Sequence, residues 1–376
     1  MVANVSTLSP GADKGTIDGL GDRYSSISLW ESSQKALLSS GDILSRGDTV
    51  ELVCYDGDYG LGLGNGLADS VLIADWTTGP NNFITVKTAP GERCNIASPT
   101  SLQGFHLNLN ANLDLFEVQV DYTQVFNIGV VNGNTLANSR GITVGAVGSV
   151  RGGILIDSCI ALVTTQRYRF QLFSGPPENP NIVRNCVGVV APTGNTYAFY
   201  LAVNVGGDVT LLQNNTAVVH NASSAITCYF NANTGRPLAP ENCVAYSASA
   251  SSIGFSGGFT GTGADKNASS DATAPGTTVY HNILDTAFVN FDAGDYTPAE
   301  GQPLDSNGNN LSAQFTDDVT GYTRPSLPDP WDIGAYEIQS APVEIEFIGP
   351  NVPQLDGTVD VFMDLPVPDI DSRFSG

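Results

Sequence analysis

The sequence predicts an all-β fold, a parallel β-helix of about ten coils, and three observations lead there. The first is composition: 376 residues hold 41 Gly and 21 Pro but only 14% charged residues, which suits a chain of strands and turns rather than a helical bundle. The second is a five-residue pattern that recurs. It reads Ile156-Asp157-Ser158-Cys159-Ile160, Val183-Arg184-Asn185-Cys186-Val187, Leu212-Gln213-Asn214-Asn215-Thr216 and Pro240-Glu241-Asn242-Cys243-Val244. A poorer copy follows at Val279-Tyr280-His281-Asn282-Ile283. The third is the spacing of its fourth column, 27, 29 and 28 residues and then 39, which is the length of a solenoid coil with one insertion.

Each column has a physical reading. Columns one and five are mostly apolar and column two is polar or charged. Column three is Ser, Asn, Asn, Asn and His, and Asn tolerates left-handed backbone angles, so this column predicts a turn between two short strands. Column four brings Cys or Asn to the same place in every coil. Neighbouring coils then pair at about 4.8 Å, and residues 50–335 divided by the period give the coil number.

A solenoid needs its ends closed. Residues 24–38 form the best helix candidate, with Ile27, Trp30 and Leu37 or Leu38 at helical spacing and Ser28 with Glu31 as a capping box. This helix is expected to plug the first coil. Residues 249–275 are small, polar and glycine-rich and read as an irregular loop that fills the long gap. The organisation is therefore an N-terminal arm and capping helix (1–48), a β-helix (49–340) and an extended acidic, Pro/Asp-rich arm or truncated immunoglobulin-like module (341–376).

The net charge of −23 argues against nucleic acid and anionic membrane as partners, and residues 285–376 supply −15 of it from 17 acidic and two basic residues. No stretch reaches the roughly 18 apolar residues of a membrane-spanning helix. No basic region followed by an apolar run marks a secretory leader, so folding in the cytoplasm is expected unless a leader has been removed. The six cysteines lack metal-type spacing and are expected as buried free thiols, although Cys159 and Cys186 on adjacent coils lie within disulfide reach.

Three segments resemble a known group of proteins. The opening Asp22-Arg-Tyr-Ser-Ser-Ile-Ser-Leu-Trp-Glu31, followed by Glu51-Leu-Val-Cys-Tyr55, is similar to the start of β-helix proteins encoded by tailed bacteriophages and prophages. The ending Asp318-Val-Thr-Gly321-Tyr-Thr-Arg324-Pro325, with Asp332-Ile-Gly-Ala-Tyr-Glu337, resembles the terminus of the same proteins, which secreted bacterial β-helix proteins share. Phe347-Ile-Gly-Pro-Asn-Val352, with Phe374-Ser-Gly376, is similar to the opening strands of immunoglobulin-like modules in such proteins. The resemblance implies a right-handed parallel β-helix and, from the phage members, a virion component, a head spike or decoration, tail fibre or tailspike, assembled in the host cytoplasm. Its implied partners are other virion proteins, a second and third copy of the chain, and host surface polysaccharide. The alternatives are a polysaccharide-degrading lyase or glycosidase and a secreted or cell-surface glycan-binding adhesin.

Candidate chemistry is sparse. Asp157, Arg184 and Glu241 share column two with Gln213 between them, so they should line one outer face, where hydrolysis would need converging carboxylates. His220 is a candidate general base, with a surface or loop position as the plainer reading. Arg324 is expected to pair with Asp317 or Asp318, with Gly334 and Tyr336 in a strand closing the last coil. Asp305, Asn307 and Asn309 alternate like calcium ligands, but the twelfth position is Thr316, so an Asx turn is preferred; calcium is the one cofactor the acidic balance suggests. Asp56 and Asp58 read as a solvated turn. Arg167 and Arg169 are expected on one side of a strand with Tyr168 and Phe170 on the other, and Arg167, Tyr168 and Arg169 are the candidate glycan contacts. Phe347, Val359, Phe362, Leu365 and Phe374 of the arm are the candidate contacts to a partner protein.

Overall fold

The structure is a computed structural model. It describes residues 2–339 apart from 7–22, 25, 38–40, 46, 48, 56–65, 111, 134–139, 146–150, 164–167, 174, 177, 191–196, 203–209, 221–225, 233–237 and 260–262. The described residues belong to one compact unit spanning Met1–Gln339. The arm residues Phe347, Val359, Phe362, Leu365 and Phe374, together with Arg167, Asp56 and Asp58, lie outside the described residues.

The chain is a parallel β-helix. One coil runs Leu155–Asp157, Ile160–Val163 and Tyr168–Phe173, and the next begins at Asn181–Arg184. Repetition stacks the strands into three parallel sheets of eight, seven and seven strands, fewer than the ten coils expected. Two causes account for the difference. Early coils are longer than 28 residues: Val50 pairs with Ile84 and Ile84 with Thr123, steps of 34 and 39. Beyond residue 283 the chain leaves the stack altogether.

The five-residue columns stack as the spacing predicts. Asp157 pairs with Arg184 and Arg184 with Gln213, and a bridge joins Gln213 to Glu241. Column three takes left-handed angles at Ser158, Asn185, Asn214 and Asn242, with φ of 55°, 51°, 49° and 54°. Two more rungs carry the same turn, at Asn127 (φ 60°) and Lys266 (φ 53°). The copy at 279–283 is not a rung of the pattern, because its left-handed residue is Asn282, in column four. The true rung is Ala264-Asp265-Lys266-Asn267-Ala268, with Glu241 bridged to Asp265. Segment 249–275 is correspondingly no mere loop. It supplies strands Ile253–Gly257 and Ala268–Ser269, and Phe255 stacks 4.6 Å from Tyr229.

The interior is filled by ladders of like side chains. Phe170, Phe199, Tyr229 and Phe255 stack with ring centroids 4.6–4.8 Å apart, the strand spacing itself. Column four also faces inward. Cys159 Sγ, Cys186 Sγ, Asn215 Nδ2, Cys243 Sγ and Asn267 Nδ2 donate to the carbonyls of Val125, Ile156, Val183, Leu212 and Pro240 of the preceding coil. All six cysteines are buried and none is in a disulfide. Burial pushes the Cys243 thiol up to about 12, so it keeps the proton it donates.

Helix α1 (Ile27–Leu37) packs at the first coils. Ile27 and Trp30 are fully buried in the solenoid core, and Trp30 lies 6.2 Å from Trp76. Its cap differs from the expected box. Ser26 Oγ accepts the Leu29 amide, Ser28 donates to Asp69, and Glu31 accepts from Trp76 Nε1 and Lys35. The N-terminal strand Val2–Ser6 pairs with Val50–Tyr55, so this part of the expected arm belongs to the first sheet.

The C-terminal part of the unit does not close the last coil. It turns back as a hairpin, Phe288–Asn290 with Asp295–Pro298, and then runs along the outside of earlier coils. Phe288, Phe291, Tyr296, Val319, Ile333 and Tyr336 pack on Ile160, Leu162, Val187, Val189, Val218 and Val244, the outer face of the second sheet. That sheet is thus buried on both faces, which explains its unbroken apolar runs.

Replacing Asn214 tests the turn column. Asn214→Ala is expected to destabilise by about 2–4 kcal/mol through the left-handed angle and lost buried hydrogen bonds. Asn214→Gly should lose about 0.5–1 kcal/mol less, because only the backbone strain is relieved. Urea denaturation of both variants measures the difference.

Candidate functional site

Among the described residues, two places gather chemistry-bearing side chains: the corner after the first sheet, and the outer face of the third. At the corner, the left-handed residue of column three turns the chain and leaves column two facing out. Asp157, Arg184, Gln213 and Glu241 therefore do form one outer file, as their shared column predicts. Each already has a partner. Arg184 Nε donates to Asp157 at 2.7 Å, Gln213 Nε2 to Gln314 Oε1 at 2.7 Å, and Asn309 Nδ2 to Glu241 Oε1 at 2.8 Å. Burial raises the Glu241 carboxyl. Asp157 and Glu241 stand three rungs apart, about 14 Å at strand spacing, beyond the roughly 5–9.5 Å over which paired carboxylates cleave glycosides. A cleft of about 250 Å³ opens beside Asp157 and Arg184, lined also by Arg93, Phe126, Phe315 and Asp317.

The C-terminal segment reads the same corner through its asparagines. Asn185 donates to Asp317 O, Asn214 to Asp332 O and Gly334 O, and Asn242 to Asn309 O. Arg324 does not pair with Asp317 or Asp318. Its Nη1 donates to Glu337 at 2.6 Å, its Nη2 to Asn185 and Gly334 O, and its guanidinium lies 5.0 Å from the Trp331 ring. Asp318 instead accepts the amides of Thr320, Tyr322 and Glu337. Gly334 sits against Thr216 and Val244, where a Cβ would fall 2.7 Å from Thr216 Oγ1. The family-like terminus is a clamp on the middle coils rather than a lid.

His220 is buried rather than exposed. Its Nε2 shares a 2.6 Å hydrogen bond with Tyr296 Oη, and its ring stacks 4.1 Å from Phe291. Burial lowers its pKa to about 4, despite Asp292 nearby. It serves the clamp, beneath the C-terminal hairpin.

The calcium-like residues diverge. Asp305 accepts from Gly301 and Ser306, Asn307 Oδ1 accepts from Tyr280 Oη, and Asn309 is held by Glu241 and Asn242. Among the described residues no three His, Cys, Asp or Glu side chains are grouped to hold a metal ion.

The outer face of the third sheet is different. Register places Glu117, Thr143, Gln171, Tyr200, Phe230 and Ser256 in one file along the solenoid axis. Of the two predicted glycan residues that are described, Tyr168 is here. Its ring lies 4.0 Å from Tyr200 and 5.6 Å from Tyr197, and Tyr200 lies 5.7 Å from Phe230. All four rings are half-buried. Arg169 turns inward instead, fully buried with Nε on Val189 O, and Phe170 is in the core ladder. The expected alternation fails because Tyr168 and Phe170, two apart, part company across Arg169. Within the file, the buried Gln171 Oε1 and Thr143 Oγ1 have no hydrogen-bond partner. Sequence reasoning missed Tyr197, Tyr200 and Phe230, although Tyr168 to Tyr197 and Tyr200 to Phe230 are 29 and 30 residues, one coil each.

Two pH tests follow from the clamp. A His220 held at about 4 against 6.5 when unfolded leaves the unfolded chain binding more protons as pH falls, so stability should drop by about 2 kcal/mol between pH 7 and 5. His220→Gln should flatten that part of the profile in urea titrations. Burial raises Glu337 to about 7, so its contribution is present below its unfolded pKa and is lost as pH rises through 7. Glu337→Gln should therefore cut the fall in melting temperature between pH 5 and 8, whereas Arg324→Met should cost about 3–5 kcal/mol at pH 8, leaving a buried charge unpaired. No protein-family model matches this chain, and no curated protein or solved structure is significantly similar to it.

Proposed function

We propose that this chain is a structural component of a tailed-phage virion, a rigid β-helical projection wound in the right-handed sense usual for parallel crossovers. The observation that carries the reading is the clamp: the Asp318–Glu337 segment, whose motif resembles the terminus of phage β-helix proteins, is spent on locking coils together. Arg324, buried with Glu337 and bound to Asn185, ties the segment to a turn of the solenoid. A solenoid filled with stacked rings and strapped along one side resists bending and proteolysis, which is what a projection requires. Assembly as a trimer and attachment through the segment beyond residue 340 belong to the same proposal.

Quantitative mass spectrometry of purified particles from cells carrying this gene is expected to find the chain in a fixed ratio to the capsid protein, a multiple of three per attachment point. Recovery only in the soluble lysate, with none in particles, would sink the virion reading.

A further inference from the structure

We propose that Tyr168 and Tyr200 form an oxidative cross-linking site, at which a one-electron oxidant of the haem-peroxidase class, supplied with hydrogen peroxide, joins the two rings as dityrosine. This goes beyond the virion reading and does not depend on it.

The two phenols belong to neighbouring coils, on the strands Tyr168–Phe173 and Tyr197–Ala202, which pair in parallel. Their ring centroids are 4.0 Å apart at an interplanar angle of 20°, closer than the roughly 4.5–7 Å usual for aromatic pairs. Face-to-face contact of this kind overlaps the half-filled π orbitals of two phenoxyl radicals, and a carbon–carbon bond grows out of that overlap. Tyr197 is the worse partner for either ring, lying 5.6 Å from Tyr168 at 32° and 5.4 Å from Tyr200 at 51°. Phe230, 5.7 Å from Tyr200, has no hydroxyl to oxidise.

The chemistry balances without any further reagent. The oxidant takes one electron from each phenol, and each phenolic proton leaves with it. Unpaired spin on the ring carbons ortho to the two oxygens then pairs to form one bond between the rings. The hydrogens displaced from those carbons return through water to the oxygens, which restores both aromatic rings and both hydroxyls. The chain loses two hydrogens in all, and the peroxide gains two electrons and two protons and leaves as two waters.

Burial shields the competing groups. All six cysteines are buried, so no thiolate forms readily to consume the oxidant, and Trp30, Trp76 and Trp331 are buried as well. Tyr168, Tyr197 and Tyr200 are half-buried on the outside of their sheet, within reach of an oxidant in water. Tyr55, Tyr122, Tyr280 and Tyr322 are half-buried too, but no described tyrosine ring stacks on any of them, so a radical there meets no second phenol. The bond also complements the clamp. The C-terminal segment fastens the corner and the second sheet, and a Tyr168–Tyr200 bond fastens the third, one coil to the next.

The test treats the dilute full chain with a haem peroxidase and limiting hydrogen peroxide. The blue fluorescence of dityrosine should appear in a product of monomer size that is lighter than the starting chain by two hydrogens. Its yield should not change with protein concentration, and tryptic mapping should join the peptides that carry Tyr168 and Tyr200. Tyr168→Phe and Tyr200→Phe should each abolish the bond, whereas Tyr197→Phe should keep it. Each variant loses a hydroxyl and keeps its ring, and a melting temperature like that of the wild type identifies the folded ones; Tyr168→Phe decides the matter if Tyr200→Phe does not fold. A monomer without dityrosine, fluorescence confined to dimers and larger species, a bond that survives in folded Tyr168→Phe, or one lost in folded Tyr197→Phe would each overturn the proposal.

Discussion

The whole molecule depends on one turn, repeated. At the corner after each first-sheet strand a residue adopts a left-handed angle, and its amide donates to the column-two carbonyl of the next coil: Asn127 to Asp157, Ser158 to Arg184, Asn185 to Gln213, Asn214 to Glu241, Asn242 to Asp265. The following residue donates its side chain to the column-one carbonyl of the coil before. Where column four is Cys or Asn, one pair of residues thus fastens the coil in both directions. The arrangement explains why Cys and Asn interchange in column four: both are short, both fit inside, and both carry a donor that reaches a carbonyl one rung away. Asn215 does more than the thiols, since its Oδ1 also accepts the Cys186 amide.

The turn also determines what covers the outside. A left-handed asparagine presents its side-chain amide outward while its backbone serves the ladder, so successive coils display a row of amides. The C-terminal segment uses that row as a second ladder, with backbone carbonyls of Asn309, Asp317, Asp332 and Gly334 as acceptors. Once anchored there, it lays Phe288, Phe291, Tyr296 and Tyr336 on the second sheet. Polar register comes from the corner and apolar burial from the sheet, and Arg324 with Glu337 joins the two.

Much of this could be read in the sequence where the period is strict. Residues 156–244 repeat every 27–29 positions, so the coil, the turn and the outward file of Asp157, Arg184, Gln213 and Glu241 follow from spacing alone. Reading failed where identity changed but geometry did not. Lys266 takes the left-handed angle of an asparagine, and Ile128 fills the buried place of a cysteine without its donor, so two rungs escaped notice. It failed again for contacts between distant segments. Nothing local says that Arg324 prefers Glu337 to Asp318, because the choice is made by Asn185 and Gly334 O, 139 and 10 residues away. Arg169 misled for a third reason: a charged residue in an alternating strand was read as solvent-facing, whereas Val189 O gives its guanidinium a buried acceptor.

The distribution of covering segments narrows where function can reside. The corner file is engaged by Gln314 and Asn309, and the second sheet lies beneath the C-terminal hairpin, so both surfaces are committed to holding the chain together. The third sheet carries its apolar ladder inside and a second, half-buried aromatic row outside. The inner row supplies cross-strand stacking for Tyr168–Phe173, Tyr197–Ala202 and Thr227–Asn231, and the outer rings stack across the same three strands. The third sheet is therefore tied from both sides, by rings stacked at strand spacing within and by rings stacked on one another outside.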